Sequence, residues 1–424
     1  MTKPKIVFLM SALLLVGFMQ IIIGMPVPLH YVFIILSMLL VFIARGLEMK
    51  INYACVVFLL VAAISIMSNE ISPIFKPWQR YGLFAMMMLG CSPLLRGPEI
   101  DKVKRHLYMG GLWALGVIAV LSFLGYFLGF GRRLGGIVNS YMGVAGHPNF
   151  LGFYTMVAMV WVASLFFRCT SMKERYIVVG GWVACVITLL LCSSRSALAC
   201  GLVGTMMAVY LRYQKNATAM VNSVLIGVAV VILSLPYLLP YAEIMMKKNM
   251  DFDNMDSVVA DTRGAIWDLR KAEFAESPII GIGAYSTDLS LPNATVFCDT
   301  NSGTIELGSS YLGLLSQCGW LGFISFLLVV IPIIRKCIRY AFNERTPYAH
   351  LWLPILFVCA ANMLFEGYLM TAGAVQCIIV WMAIGAADQC DKIADYPVAW
   401  ESDEEEPITP EEYVRWRDAN TEDR

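Results

Sequence analysis

Charge is what this sequence has least of: Asp, Glu, Lys and Arg together make up 15% of its 424 residues, and long stretches hold none. A soluble protein of this length carries about a quarter charged residues, and an apolar share of 58% is more than a soluble core can bury. The solvent that fits is a bilayer. The formal net charge is zero, so no basic excess argues for nucleic acid. None of the 12 cysteines forms a C-x-x-C pair, which removes the usual zinc and dithiol motifs. Most of them (Cys55, Cys91, Cys185, Cys192, Cys200, Cys318, Cys359, Cys377) sit inside apolar runs, and Cys298 has no obvious partner, so no disulfide framework is implied. No A-x-A-like cleavage site follows the first apolar run, Ile6 to Met25; that run is long enough to span and reads as a first helix. No internal repeat is visible, and no metal or cofactor is called for.

What is present is a succession of apolar runs. A hydrocarbon core about 30 Å thick needs roughly 20 apolar residues in a helix. Spans are expected at 6–25, 28–44, 52–68, 80–96, 107–130, 148–168, 176–192, 196–211, 218–240, 309–333, 350–368 and 370–388. The fold class expected is therefore an all-α polytopic membrane protein of about twelve transmembrane helices, ten at the fewest. Its divisions are helices 1–9 over 1–240, a large loop over 241–308, helices 10–12 over 309–388 and an acidic tail over 389–424. Basic residues fix the orientation. With the N-terminus inside, the inner segments hold Lys3, Lys5, Arg45, Lys50, Arg96, Lys102, Lys104, Arg105, Arg168, Lys173, Arg175, Arg212, Lys215, Arg335, Lys336, Arg339 and Arg345. The short outer segments hold only Lys76, Arg80, Arg132, Arg133 and Arg195. Both termini are thus expected inside and the 241–308 loop outside.

That loop is far longer than the other connections and is not of low complexity, which marks it as functional. Thr262–Glu276 reads as an amphipathic helix capped by Asp261 or Thr262, with Arg263, Trp267 and Arg270 on one stripe. Ser277-Pro278 stops it, and Gly281-Ile282-Gly283 makes a turn.

Charges at the outer membrane edge are the candidates for chemistry, because a charge there is costly without a polar cavity or partner. Arg195 stands between two apolar runs in Ser193-Ser194-Arg195-Ser196, either snorkelling or facing a polar pocket. Arg263 and Arg270 offer guanidinium forks suited to phosphate oxygens. Arg80 and the Arg132-Arg133 pair add outer cations, and Trp78 beside Arg80 is more simply an interfacial belt residue. Together these cations suit a lipid-linked diphosphate. His147 is an N-capping residue or a base, and Glu366 is a carboxylate at the membrane edge. Within the loop, Asp256, Asp261, Asp299 and Glu306 are the available bases, and sequence does not choose among them.

In order and spacing, several motifs resemble the O-antigen ligase/polymerase superfamily of bacterial envelope glycosyltransferases, over roughly residues 70–390. They are His147-Pro148-Asn149-Phe150-Leu151-Gly152, Ser193-Ser194-Arg195-Ser196-Ala197, Thr262-Arg263-Gly264-Ala265-Ile266-Trp267 with Ser277-Pro278-Ile279-Ile280-Gly281-Ile282-Gly283, and Ser310-Tyr311-Leu312-Gly313-Leu314-Leu315 leading into Gly319-Trp320-Leu321-Gly322. The resemblance implies a metal-independent, GT-C-like enzyme without cofactors in the bacterial inner membrane. It would take a glycan from undecaprenyl diphosphate on the periplasmic side and join it to an acceptor glycan. By the same resemblance Arg195 and Arg263 would hold the diphosphate and stabilise charge on the leaving group. Ligases of the family carry a His-Asn or similar pair before the Tyr-Leu of the tenth-span motif, the His being a proposed base. Ser309 and Ser310 stand there instead, just before Tyr311, and the large loop has no histidine. That departure leans toward a polymerase of O-antigen, capsule or exopolysaccharide repeat units, or a ligase with another acceptor, with Glu306 as substitute base. A chain-length regulator or flippase is a possible partner. The rival class is a polysaccharide-unit transporter, which would place ionisable or broken-helix sites near the midplane, where the spans here hold almost no charge.

Overall fold

The computed structural model describes residues 9, 10, 12–14, 29–44, 49–134, 140–214, 218, 262–344, 346–371 and 373–391. The expected spans at 6–25 and 218–240 and the acidic tail fall almost wholly outside these residues, as do Asp256, Asp261 and the side chains of Arg132 and Arg133.

The chain is mostly helical. Helices α1 (Leu29–Ile43), α2 (Tyr53–Met67), α3 (Pro77–Cys91) and α4 (Pro98–Phe127) are followed by α5 (Pro148–Phe166), α6 (Met172–Leu191) and α7 (Arg195–Tyr213). Next come α8 (Thr262–Glu276), α9 (Ser310–Arg339), α10 (Pro347–Asn362) and α11 (Val375–Asp388). Three two-stranded antiparallel ribbons lie among the described residues: Lys50–Ile51 with Leu95–Arg96, Arg132–Leu134 with Ser140–Gly143, and Cys298–Asp299 with Thr304–Ile305. Among the described residues five helices are long and apolar enough to cross a membrane: Pro98–Phe127, Pro148–Phe166, Met172–Leu191, Arg195–Tyr213 and Ser310–Glu344. Shorter apolar helices lie at Tyr31–Ile43, Tyr53–Met67 and Val375–Asp388. This is a multi-pass membrane protein.

Local chemistry sets the helix starts. Proline stands in the first turn of α3, α4, α5 and α10, where its missing N–H costs nothing. At α6 a capping box joins Ser171 and Glu174. Helix α4 begins at Pro98, well before the expected 107, with Glu99 and Asp101 in its first turn favouring the positive helix end. Lys102, Lys104 and Arg105 therefore lie on the helix itself, and Lys104 is buried, donating to the Ser92 and Leu95 carbonyls.

Two helices form the centre. Every residue of α11 is buried, as is most of α5, which packs against α4, α6, α7 and α10. A helix apolar on all sides belongs inside a bundle. Trp381 of α11 meets the rings of Phe58, Phe84 and Phe326, which joins α2, α3 and α9 around it.

Helix α9 is not continuous. Gly319 has φ 61° and ψ −163°, a conformation close to glycine-only, and it breaks the helix near its start. Residues 278–283 run alongside the break: the Ile282 and Gly283 amides donate to Ser316 and Gln317, and the Trp320 and Leu321 amides donate to Pro278 and Ile279. The Ser65 hydroxyl also donates to the Gln317 carbonyl at 2.6 Å, and the Asn69 amide to Gly281 at 3.0 Å. Carbonyls released by the break are thus taken up by the loop and by the end of α2, as a low-dielectric setting requires.

The expected span 350–368 ends early. Helix α10 stops at Asn362, and α11 starts only at Val375. Side chains of α8 and α9 capture carbonyls of the intervening segment, so it leaves the helical path there. By contrast, the neighbouring spans about Ser193–Arg195 are two helices, joined by a tight turn in which Ser193 has φ 55°.

Candidate functional site

The amphipathic helix forms as α8 over Thr262–Glu276, and its stripe of Arg263, Trp267 and Arg270 faces the protein along its length. Exposure is graded along that stripe. The Arg263 side chain is 42% exposed and Arg270 is 0% exposed.

Arg263 lies against the connection that follows α10. Its Nη1 donates to the Phe365 carbonyl at 2.8 Å, its Nη2 donates to Glu366 Oε1 at 2.9 Å, and its guanidinium stands 5.9 Å from the Phe365 ring centroid. The same connection is anchored from the start of α9. The buried Ser310 hydroxyl donates to the Glu366 carbonyl at 2.7 Å and accepts the Tyr368 amide at 3.0 Å and the Leu369 amide at 3.3 Å. Ser309 caps α9 by accepting the Leu312 amide, and its hydroxyl reaches the Met363 carbonyl at 3.4 Å. The Tyr311 hydroxyl donates to Ala360 at 2.9 Å. The serines that stand where a base was expected are therefore anchors of the loop that carries Glu366. Trp267 completes the seam by donating from Nε1 to the Gly308 carbonyl at 3.2 Å. A Cβ on Gly308 would lie 2.6 Å from Ile266 Cγ2, which explains the glycine.

Arg270 is placed differently from the sequence expectation of a second phosphate-facing fork. It is fully buried, with Nη1 donating to Glu273 Oε2 at 2.6 Å and Nη2 to Thr287 Oγ1 at 3.1 Å. Glu273 also accepts from the Thr287 hydroxyl, the Asp288 amide and the Ser316 hydroxyl. Burial pushes the Arg270 guanidinium below its ordinary pKa, and the adjacent Glu273 opposes that shift. This buried cluster, unnoticed in the sequence, ties α8 to residue 287 and to the break in α9. Its one readable signal was the three-residue spacing of Arg270 and Glu273 on a helix.

The other candidates form a second group. Arg195 is the first residue of α7 and is exposed. A Cβ on Gly152 would fall 2.7 Å from Ser194 Cβ, so the His147–Gly152 motif of α5 lies directly against the turn before Arg195. His147 caps α5, its Nδ1 accepting the Asn149 amide at 3.2 Å. The two groups are linked by the Phe153 and Tyr368 rings, whose centroids are 4.8 Å apart. Arg80 lies in the first turn of α3 and donates to the Ser302 carbonyl of the loop at 3.2 Å. Glu306 is exposed, and its backbone amide pairs with Phe297. The Asp299 carboxylate is taken by the Ser302 hydroxyl and the Asn301 amide, which hold its pKa below the usual value. Among the described residues no cluster of three or more His, Cys, Asp or Glu side chains could hold a metal ion.

The geometry therefore brings together Arg263, Trp267, Ser309, Ser310, Tyr311 and Glu366, with Arg195 and His147 on the adjoining helices. The family model described as O-antigen ligase matches residues 180–327, a stretch that includes Arg195, Arg263 and the break at Gly319. No curated protein matches the chain. The family match supports the O-antigen ligase/polymerase superfamily, to which the motifs also point.

Proposed function

We propose that this chain, matched to the O-antigen ligase family over residues 180–327, is a bacterial inner-membrane glycosyltransferase acting on an undecaprenyl-diphosphate-linked glycan. The supporting observation is Arg263, a half-exposed guanidinium on a docked helix, whose partners are a carboxylate and a carbonyl. Both partners are oxygen acceptors of the kind a diphosphate also presents. In this reading Arg263 and Arg195 hold the diphosphate, with Arg80 an outlying cation. The fixed guanidinium charge stabilises the negative charge that develops as the glycosidic C–O bond breaks, an electrostatic contribution made by preorganised groups. Some twelve spans, cytoplasmic termini and a periplasmic site complete the proposal.

Repeat-unit polymerisation is the favoured reaction, because serines occupy the positions where ligases of this family place a histidine. Glu306 and His147 are the proposed candidates for general base. The test supplies purified protein with a synthetic undecaprenyl-diphosphate glycan and candidate acceptors. Release of undecaprenyl diphosphate, abolished by Arg263→Ala or Arg195→Ala, is the expected result. Unchanged release in both variants would remove the assignment. In a deletion strain, accumulation of single repeat units indicates a polymerase, and unattached full-length polymer indicates a ligase.

A further inference from the structure

Helix α10 ends at Asn362, and the chain beyond it is held by bonds that stand in for helical ones. In an α-helix each amide donates to the carbonyl four residues back. Carried one turn further, α10 would pair the Met363 carbonyl with the Gly367 amide, Leu364 with Tyr368 and Phe365 with Leu369. Ser310 and Arg263 take four of those six groups instead. The Ser310 backbone amide donates to the Met363 carbonyl at 2.9 Å. The Ser310 hydroxyl accepts the Tyr368 amide at 3.0 Å and the Leu369 amide at 3.3 Å, and donates to the Glu366 carbonyl at 2.7 Å. The Phe365 carbonyl, its helical donor drawn off to Ser310, accepts Arg263 Nη1 at 2.8 Å.

We propose that Ser310 is a positioning residue for Arg263: by drawing off the Leu369 amide it leaves the Phe365 carbonyl to grip the guanidinium that the donor diphosphate meets. This role rests on the function proposed above and names the residue that sets its principal cation. A serine hydroxyl has one proton and two lone pairs. At Ser310 all three are used on residues 366–369, and the residue is 2% exposed. Ser310 therefore acts through the backbone, neither touching substrate nor taking a proton. Arg263 is 42% exposed, and an arginine side chain has much rotamer freedom to lose when it is ordered. Fixing Nη1 on a main-chain carbonyl removes part of that freedom before donor arrives, which favours binding by preorganisation. Alanine at position 310 would leave the buried Tyr368 and Leu369 amides without their acceptor, a costly state. The acceptors a helix would supply are the Leu364 and Phe365 carbonyls. The segment is then expected to rewind toward helix and to take the Phe365 carbonyl away from Arg263.

The experiment is a double-mutant cycle on the full chain in nanodiscs, read by affinity for undecaprenyl diphosphate and by melting temperature. It compares wild type, Ser310→Ala, Arg263→Lys and the double variant, with Thr346→Ala as control. Arg263→Lys keeps a charge, so binding stays measurable, but lacks the fork that holds a carbonyl and a phosphate together. Thr346 caps the other end of α10 by accepting the Ala349 amide, so Thr346→Ala weakens the same helix away from Arg263. Ser310→Ala is expected to bind about tenfold more weakly, within the range of coupling between members of one hydrogen-bond network. In the Arg263→Lys background the same change should cost at most about twofold. Thr346→Ala should melt lower and bind as wild type does. Unchanged affinity in Ser310→Ala would leave Ser310 an anchor of the fold and overturn the proposal. An equal loss in both backgrounds would also overturn it, because Ser310 would then act on something other than Arg263. Should Ser310→Ala fail to fold, Ser310→Cys takes its place in the cycle, its thiol being a weak donor and acceptor, and the same outcomes decide. Wild type that does not bind undecaprenyl diphosphate removes the glycosyltransferase reading itself, and this role with it.

Discussion

Arg263 and Arg270 stand two turns apart on one face of α8, and their neighbours decide what each can do. A helical period of 3.6 residues places both on the same stripe, which is all that spacing can reveal. Depth along the stripe depends on where α8 meets α9 and the 277–308 segment, and no local pattern encodes that. Arg270 lies at the deep end, where its loss would strand Glu273 without a counter-charge. We expect Arg270→Met to cost about 3–5 kcal/mol, the usual penalty for breaking a buried ion pair from one side. The double change Arg270→Met with Glu273→Leu should recover much of that loss. Thermal unfolding in detergent, followed by tryptophan fluorescence, would show the single variant melting well below the double one. Equal melting of the two would mean that the pair is not coupled. Arg263, by contrast, should tolerate substitution structurally while losing function. Arg263→Lys supplies a point charge without the fork that reaches the Phe365 carbonyl and an oxyanion together. The expected outcome is an unchanged melting temperature with transfer reduced at least about tenfold, the equivalent of about 1.4 kcal/mol in the barrier.

At the scale of elements, the sequence motifs are pairs of surfaces, and this was the least legible part of the fold. Gly281-Ile282-Gly283 reads as a turn, and Gly319-Trp320-Leu321-Gly322 as part of a span; nothing local says that they touch. In the structure a Cβ on Gly281 would lie 2.3 Å from the Gln317 carbonyl carbon, and one on Gly319 would lie 2.4 Å from that of Ile279. Gly281 clears room for the Gln317–Cys318 backbone and Gly319 for the Ile279–Ile280 backbone, and both have positive φ, 80° at Gly281 and 61° at Gly319. Helix α8 itself was legible, because a polar and apolar alternation with a clear stop after Glu276 needs no tertiary information. The early end of α10 was not, since carbonyl capture by Ser310 and Arg263 is a long-range event. Gly319→Ala should therefore be severely destabilising, at about 1–3 kcal/mol for the backbone conformation alone with the steric clash in addition. Gly82→Ala is the internal control: that helical glycine has nothing within 4 Å of its would-be Cβ, and alanine is the better helix former. Folded yield and melting temperature should drop in the first variant and hold or rise in the second. A Gly319→Ala protein that melts like wild type would show that the break in α9 is not needed.

For the whole molecule, several basic residues expected on the inner side meet acidic partners where α9 and α11 end. Beyond its break at Gly319, α9 continues to Arg339, a run that at 1.5 Å per residue covers about 30 Å, the thickness of a hydrocarbon core. There Arg96 pairs with Asp388 at 2.7 Å and Lys336 with Asp391 at 2.7 Å, and Lys336 also donates to the Asp388 carbonyl. The basic residues assigned to the inner side thus double as ties between the 92–97 turn, the end of α9 and the end of α11. A bias in Lys and Arg reports which ends lie together, and it does not report helix lengths. Helices of 15 residues such as α2 and α3 are too short to be counted as spans by composition alone. Side-specific labelling checks the proposed orientation directly. Among the described residues every cysteine is buried except Cys169, which is half-buried, so the background of thiol labelling should be low. Ser302, exposed beside Asp299, and Lys173, exposed in the first turn of α6, report on opposite ends of the bundle. With a membrane-impermeant maleimide, Ser302→Cys should label in intact cells with the outer membrane permeabilised, and Lys173→Cys only after the inner membrane is opened. Labelling in the reverse order would put Arg263 and Glu366 on the cytoplasmic face, where a donor already flipped outward could not reach them.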